Sequence, residues 1–272
     1  MTPSHDASNW SARLEHESLL RRVEHRFVED LRAEVYERAR QAPAEPEAFV
    51  AWFESLEQTG PGQRDPLFPW LAEHASLAQM KWFLTQEMAG EAGFDDLVAL
   101  TQVKLGGRAK LELARNYWDE MGQGSASGMH GPMLQHLETS LDLQVEIEST
   151  VWEALALANL MSALASNRHY AYQSIGALGV IELTAPGRSQ HTNTGLKRLG
   201  VAGHARRYYA LHATLDIKHS AAWNREVLQP LVASDPLTAR LIAEGALMRL
   251  HVGANCFDRY RRELMPDAHG GK

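Results

Sequence analysis

The chain has one cysteine, Cys256, in 272 residues. That excludes an intrachain disulfide and a cysteine-rich zinc site, and the expected compartment is a reducing cytoplasm. No apolar run approaches the roughly 20 residues that a membrane-crossing helix needs. The polar opening MTPSHDASNW also lacks the basic-then-apolar pattern of a signal peptide. Lysine and arginine are dispersed, 27 of them against 34 Asp and Glu, so no basic stripe announces a nucleic-acid partner. With only 20 Gly and 11 Pro, and 44% apolar residues, the composition is that of a compact chain rather than a disordered one. Short alternating runs between turn signals are missing too, and no sheet is expected.

What is present is helical periodicity. Patterns of that kind cover 10–42, 46–56, 76–90, 95–103, 108–121, 131–142, 145–166, 168–184, 200–225 and 236–264. Residues 68–70 read as an apolar loop or short turn, Thr184-Ala185-Pro186-Gly187 as a helix stop, and Pro230 and Pro236 as punctuation before the last helix. Neither repeat nor linker divides the chain. The expectation is one all-α domain over 1–272, a bundle of roughly seven to nine helices. Its motifs fall in residues 76–225, and 266–272 reads as a mobile tail.

The most informative stretch is ARRYYALHATLDIKHSAAW, residues 205–223. It places His212, Asp216 and His219 within an arc of roughly 60° on one helix face, at about 100° per residue. Two imidazoles and a carboxylate on a largely apolar helix are costly to bury unless they are paired or bound to a cation. A buried hydrogen-bonded trio and a site for a metal such as iron, manganese or zinc are both consistent with that spacing. Glu182 stands alone in the apolar stretch SIGALGVIEL, where desolvation raises its pKa or a cation holds it ionised. Glu87 lies among Trp82, Phe83, Leu84 and Met88. Glu120 and His130 flank a break containing Gly122, Gly124 and Gly128, which lets the chain turn sharply enough to bring both to one centre.

Three His and four carboxylates suit two bridged metal ions better than one. There is no Glu-x-x-His, which the ferritin-like di-iron architecture uses, and no His-Glu-x-x-His of the zinc proteases.

With Glu182 thirty residues before His212-x3-Asp216-x2-His219, and with Glu87, Glu120 and His130 upstream, the pattern resembles the haem-oxygenase-like di-iron oxidases and oxygenases. The resemblance implies a haem-oxygenase-type helical fold. It also implies two non-haem irons held by Glu87, Glu120, His130, Glu182, His212, Asp216 and His219, with Glu182 bridging, and dioxygen as co-substrate. Manganese suits the same ligands. Glu120 is similar to the extra carboxylate of the family's N-oxygenating members, which implies oxygen transfer to an amine or guanidine of a small amino-acid-like metabolite. Desaturation, C–C fragmentation and decarboxylation are the alternatives on the same cofactor. Glu120 and Glu182 are the expected catalytic residues. A small-molecule substrate, an electron donor and a homodimer are the expected partners, with neither nucleic acid nor membrane. Tyr172, Phe83, Trp152 and Arg206 are candidate pocket residues. His16 and His25 would serve as axial ligands in a different, haem-binding reading.

Overall fold

The structure is a computed structural model, and it describes residues 10–90 and 93–265. The predicted tail at 266–272 lies outside the described residues. Among those residues the only β feature is a single antiparallel bridge between Met121 and Met129. Most of the rest is helix: α1 (Trp10–Ala39), α2 (Pro46–Thr59), α3 (Leu67–Glu73), α4 (Leu77–Gly90), α5 (Phe94–Thr101), α6 (Gly107–Glu120), α7 (His130–Leu141), α8 (Trp152–Ser166), α9 (Ala171–Arg198), α10 (Arg207–Trp223), α11 (Gln229–Ser234) and α12 (Leu237–Leu264). The expected all-α bundle is what forms. No described helix is long and apolar enough to cross a membrane.

Helix α9 is the axle of the bundle, packed chiefly against α10 and α12 and also against α3. Its first half, from Gln173 to Val180, is buried on every side, the pattern of a central helix rather than an amphipathic surface one. Small residues permit the close approach. A Cβ on Gly176 would lie 1.9 Å from the Ile242 carbonyl oxygen, and one on Gly245 would lie 1.8 Å from that of Gln173. Helices α9 and α12 therefore meet backbone to backbone, and only glycine fits at either point.

Two stops expected from the sequence do not stop anything. Pro186 lies inside α9, which runs 28 residues to Arg198. Proline removes the ladder bond to the carbonyl four residues back, here that of Glu182, but packing on both sides carries the helix past the defect. Pro230 likewise lies within continuous helical backbone, since a π-helical turn runs directly into α11 ahead of it. Helices α10 and α11 are joined by a π-helical turn, Asn224–Leu228, so the helical backbone continues past His219 rather than breaking. Residues 68–70, expected as an apolar loop or short turn, lie inside α3, which buries Leu67, Phe68 and Leu71.

Candidate metal centre

Four helices supply the site. Asn116, Asp119 and Glu120 occupy the last turn of α6, and His130 is the first residue of α7. Glu182 comes from the middle of α9, and His212, Asp216 and His219 come from α10. The α6–α7 connection explains how Glu120 meets His130. Gly122 has φ +61, and a Cβ there would sit 2.3 Å from the backbone carbon of Gly128. The two glycines pass in contact, the Met121–Met129 bridge closes beside them, and Nδ1 of His130 comes 2.6 Å from Oε2 of Glu120.

Two clusters of donor atoms result, each with its atoms within 4.8 Å of one another: Glu120, His130 and His212 in one, Glu120, Glu182 and His219 in the other. Glu120 is common to both. The resemblance implied Glu182 as the bridging carboxylate; Glu120 is the residue that both donor groups have in common. Glu120 and Glu182 are almost wholly buried, 3% and 2% exposed, so their charges need compensation.

Each of the three imidazoles has one buried ring nitrogen without a hydrogen-bond partner: Nδ1 of His130, Nε2 of His212 and Nδ1 of His219. The approach of His130 to Glu120 is close but not aligned as a hydrogen bond. That of His219 Nδ1 to Glu182 Oε2 is 3.5 Å, long for one. The opposite nitrogens of His212 and His219 are occupied. His212 Nδ1–H donates to Asp216 at 2.9 Å and 3.1 Å, and His219 Nε2–H donates to Asp119 at 3.2 Å. A carboxylate behind an imidazole fixes its tautomer and turns the other nitrogen's lone pair toward a metal. Three unpartnered imidazole nitrogens with two buried carboxylates are a donor set for iron or manganese.

Electrostatics point the same way. Burial lowers the His212 pKa, but the hydrogen bond to Asp216 and the charges of Asp216, Glu120 and Glu182 outweigh it and lift it to about 9. His219 is likewise lowered by burial and raised to about 9 overall by Glu182, Asp119 and Asp216. Desolvation pushes Glu182 up to about 7, with Asp216 and Glu120 adding to the rise and His219 opposing it. Buried carboxylates crowded together hold protons where a cation is not there to replace them.

Two of the seven expected ligands stand apart from the clusters. Asp216 lies behind His212. Glu87 lines the same cavity as Glu120, Glu182, His212 and Asp216, but the positive charges of Arg188 and Arg249 act on it, and it accepts a hydrogen bond from the Tyr260 hydroxyl. Asn116 Nδ2 donates to Glu182 Oε1 at 2.6 Å, and the Tyr208 ring lies 4.4 Å from that of His212. The sequence reading did not single out Asn116, Asp119, Arg188, Tyr208, Arg249 or Tyr260. Asn116 and Asp119 were within reach, since they share with Glu120 the last turn of a helix already implicated.

Of the candidate pocket residues, Phe83 lines an adjoining cavity, Trp152 is 67% exposed, and Arg206 is engaged by Asn193 at 2.6 Å. His16 and His25 are exposed on α1. His25 Nδ1–H donates to the Tyr170 hydroxyl at 2.6 Å, and that hydroxyl donates to Glu29. Neither histidine is among the residues lining the site cavity.

An all-α scaffold converging histidines and carboxylates from four helices defines a metalloprotein of the haem-oxygenase-like class. Residues 81–254 match the profile of a family described as iron-containing redox enzymes, and the chain belongs to that family. Among solved structures it is similar to a CADD-like protein of unknown function from Nostoc punctiforme PCC 73102. The identity is 20% with a TM-score of 0.59, over 79% of this chain and 96% of that one, a likeness of fold. Comparison with curated proteins gives no match.

Proposed function

We propose that the chain is a non-haem di-iron oxygenase that uses dioxygen to hydroxylate an amine or guanidine nitrogen of a small amino-acid-like metabolite. The observation that carries this is the pair of donor clusters sharing Glu120, each with at least one unpartnered imidazole nitrogen. His130 and His212 would hold one iron, His219 and Glu182 the other, and Glu120 would serve both. Glu87 would join from the wall of the same cavity, while Asp216 keeps its place behind His212. When bound, the two irons supply the electrons that reduce dioxygen.

The protein's own residues do the rest. Asp119 and Asp216 orient the imidazoles, and Asn116 holds Glu182 by one oxygen, leaving the other free. Ile181, Leu157 and Met161 line the cavity and limit water around the reacting nitrogen. By the resemblance, Glu120 matches the extra carboxylate of the N-oxygenating members, and its charge would favour oxygen transfer to nitrogen over hydrogen abstraction from carbon. The balance is R–NH2 + O2 + 2 e− + 2 H+ → R–NHOH + H2O, so an external two-electron donor is required. Desaturation, fragmentation or decarboxylation on the same centre is the second reading, and the cavity's apolar wall is what favours it.

The test is turnover under 18O2 of iron-loaded protein with a reductant and a panel of amino acids bearing side-chain amines or guanidines, followed by mass spectrometry. One labelled oxygen on nitrogen is expected. A product lacking the label, with a new C=C bond or a lost carbon, overturns N-oxygenation in favour of the second reading.

A further inference from the structure

The two carboxylates that stand behind imidazoles differ in their surroundings. Asp216, behind His212, has 3% of its side chain exposed, whereas Asp119, behind His219, has 29%. Gln123 Nε2 donates to Asp119 Oδ1 at 2.8 Å, and His219 Nε2–H donates to Oδ2 at 3.2 Å. On its inner side His219 belongs to the cluster with Glu120 and Glu182, its Nδ1 lying 3.5 Å from Glu182 Oε2. One hydrogen bond and one imidazole ring therefore connect a partly open surface to the candidate centre.

That surface combines apolar bulk with positive charge. Leu111 and Trp118 on α6 are 59% and 53% exposed. Arg115, also exposed, lies between them, and the spacing i, i+4, i+7 puts all three on one helix face. Arg108 is exposed one turn earlier on α6, and Lys218 is exposed on α10, one residue before His219. The acidic partners of these arginines lie deeper. Arg115 pairs with buried Glu112, and Arg108 shares half-buried Glu226 with Arg225. An approaching molecule thus meets guanidinium and ammonium groups around two large apolar side chains, on a chain whose formal net charge is −7. Exposed apolar bulk ringed by arginine is the make-up of a protein-docking surface, and cations there steer an anionic partner.

We propose that this face of α6 and α10 docks a small acidic protein that carries one electron at a time, and that Asp119 and His219 conduct its electrons inward. The proposal rests on the reading of the centre as a redox-active iron site, which needs electrons from outside. Each docked carrier is oxidised by one electron, so two dockings supply the two electrons that N-oxygenation consumes, and its two protons come from solvent. Electron-transfer encounters are small, burying less than about 1,200 Å², and a patch of this extent suits one. A small-molecule reductant has no use for the cations or for the apolar pair.

The experiment has a binding arm and an electron arm. In the first, the metal-free full chain is titrated calorimetrically with two acidic carriers, a plant-type [2Fe–2S] ferredoxin and a flavodoxin. Ionic strengths of roughly 0.01 M and 0.15 M are compared, across which the Debye length falls from about 30 to about 8 Å. At least one carrier is expected to bind, about tenfold or more weakly at the higher salt. Combining Arg108→Gln, Arg115→Gln and Lys218→Gln is expected to cost about tenfold or more. Lys218→Glu, which touches neither ion pair, and Leu111→Ser should each cost several-fold, and Arg40→Gln, at an exposed cation just past α1, nothing. In the second arm, iron(III)-loaded chain is mixed anaerobically with reduced carrier, whose oxidation is followed by its visible absorbance. The triple variant should slow that oxidation about tenfold and leave reduction by dithionite unchanged. The inference is overturned if neither carrier binds, if salt and the variants leave binding unaltered, or if the triple variant slows dithionite as much as the carrier. Salt- and variant-dependent docking on a chain that takes up no iron would instead sink the metal reading and leave the docking face standing.

Discussion

Substituting Gly122 by alanine tests how the centre is assembled without touching a ligand. The residue has φ +61, a conformation that costs an L-residue about 1–2 kcal/mol. Its new Cβ would lie 2.3, 2.5 and 2.6 Å from backbone atoms of Gly128 and Met129. Backbone cannot rotate aside as a side chain can, so the two strands of the turn must separate by about 1 Å to reach ordinary contact, an overpacking cost of about 1–3 kcal/mol. The same separation acts on Glu120 and His130, whose facing atoms are 2.6 Å apart. Nine residues away, Gly131 is the opposite case: a Cβ there meets nothing within 4 Å, and the residue is exposed in the first turn of α7. Gly131→Ala should be neutral or stabilising by up to about 1 kcal/mol through helix propensity. Urea denaturation and iron(II) titration of both variants give the comparison. Gly122→Ala is expected to lose roughly 2–5 kcal/mol of stability, by the sum of those two costs, and to weaken binding at the Glu120–His130–His212 cluster; Gly131→Ala should do neither. Equal behaviour of the two variants would refute the idea that the Gly122–Gly128 contact positions the ligands.

Three further outcomes are expected. In metal-free protein, His212 and His219 at about 9 and Glu182 at about 7 all lie above their ordinary values of 6.5 and 4.5. The folded state then binds more protons than the unfolded one, so their contribution is complete below pH 4.5 for Glu182 and 6.5 for the histidines, and is lost as pH rises to 7 and 9. The metal-free Tm should fall across that span, and iron(II) uptake, which displaces those protons, should acidify a weakly buffered solution; a metal-free Tm that climbs over the same window would contradict the shifts. Asp119→Ala, which removes the acceptor behind His219, should weaken one of two irons by about 10–100-fold and spare the other, as read by competitive chelation; an equal effect on both would deny Asp119 its orienting role. Gly245→Ala should destabilise by about 1–3 kcal/mol or more, since α9 and α12 must part, and a near-neutral denaturation midpoint would show that the helices accommodate a methyl group there.

The fold class was legible because helical periodicity and the lack of alternating runs are local signals. The α10 face was legible for the same reason: His212, Asp216 and His219 lie within two turns of one helix, so their convergence is written in their spacing. What was not legible came from other elements. Pro186 reads as a stop by every local rule, and only the packing of α9 against α10 and α12 overrides it. Glu87 is three residues from the end of α4, and nothing nearby in sequence reveals that Arg188 and Arg249 act on it from α9 and α12. That Glu120 belongs to both donor groups depends on how closely the α6–α7 turn closes, which glycine spacing permits but does not determine. Asp216 shows the limit from the other side: it is on the right face, yet its carboxylate turns to the nitrogen of its own helix neighbour.

The measurement nearest the central claim is the number of iron(II) ions bound per chain, by anaerobic titration, for the unaltered protein and for Glu120→Ala, His130→Ala and His219→Ala. Two clusters joined by one carboxylate predict two irons for the unaltered chain, one for each histidine variant, and loss of tight binding at both sites for Glu120→Ala. An unaltered chain that takes up no iron, or a Glu120→Ala variant that still binds two with undiminished affinity, would contradict a shared-carboxylate di-iron centre and leave the three histidines as parts of a buried polar network.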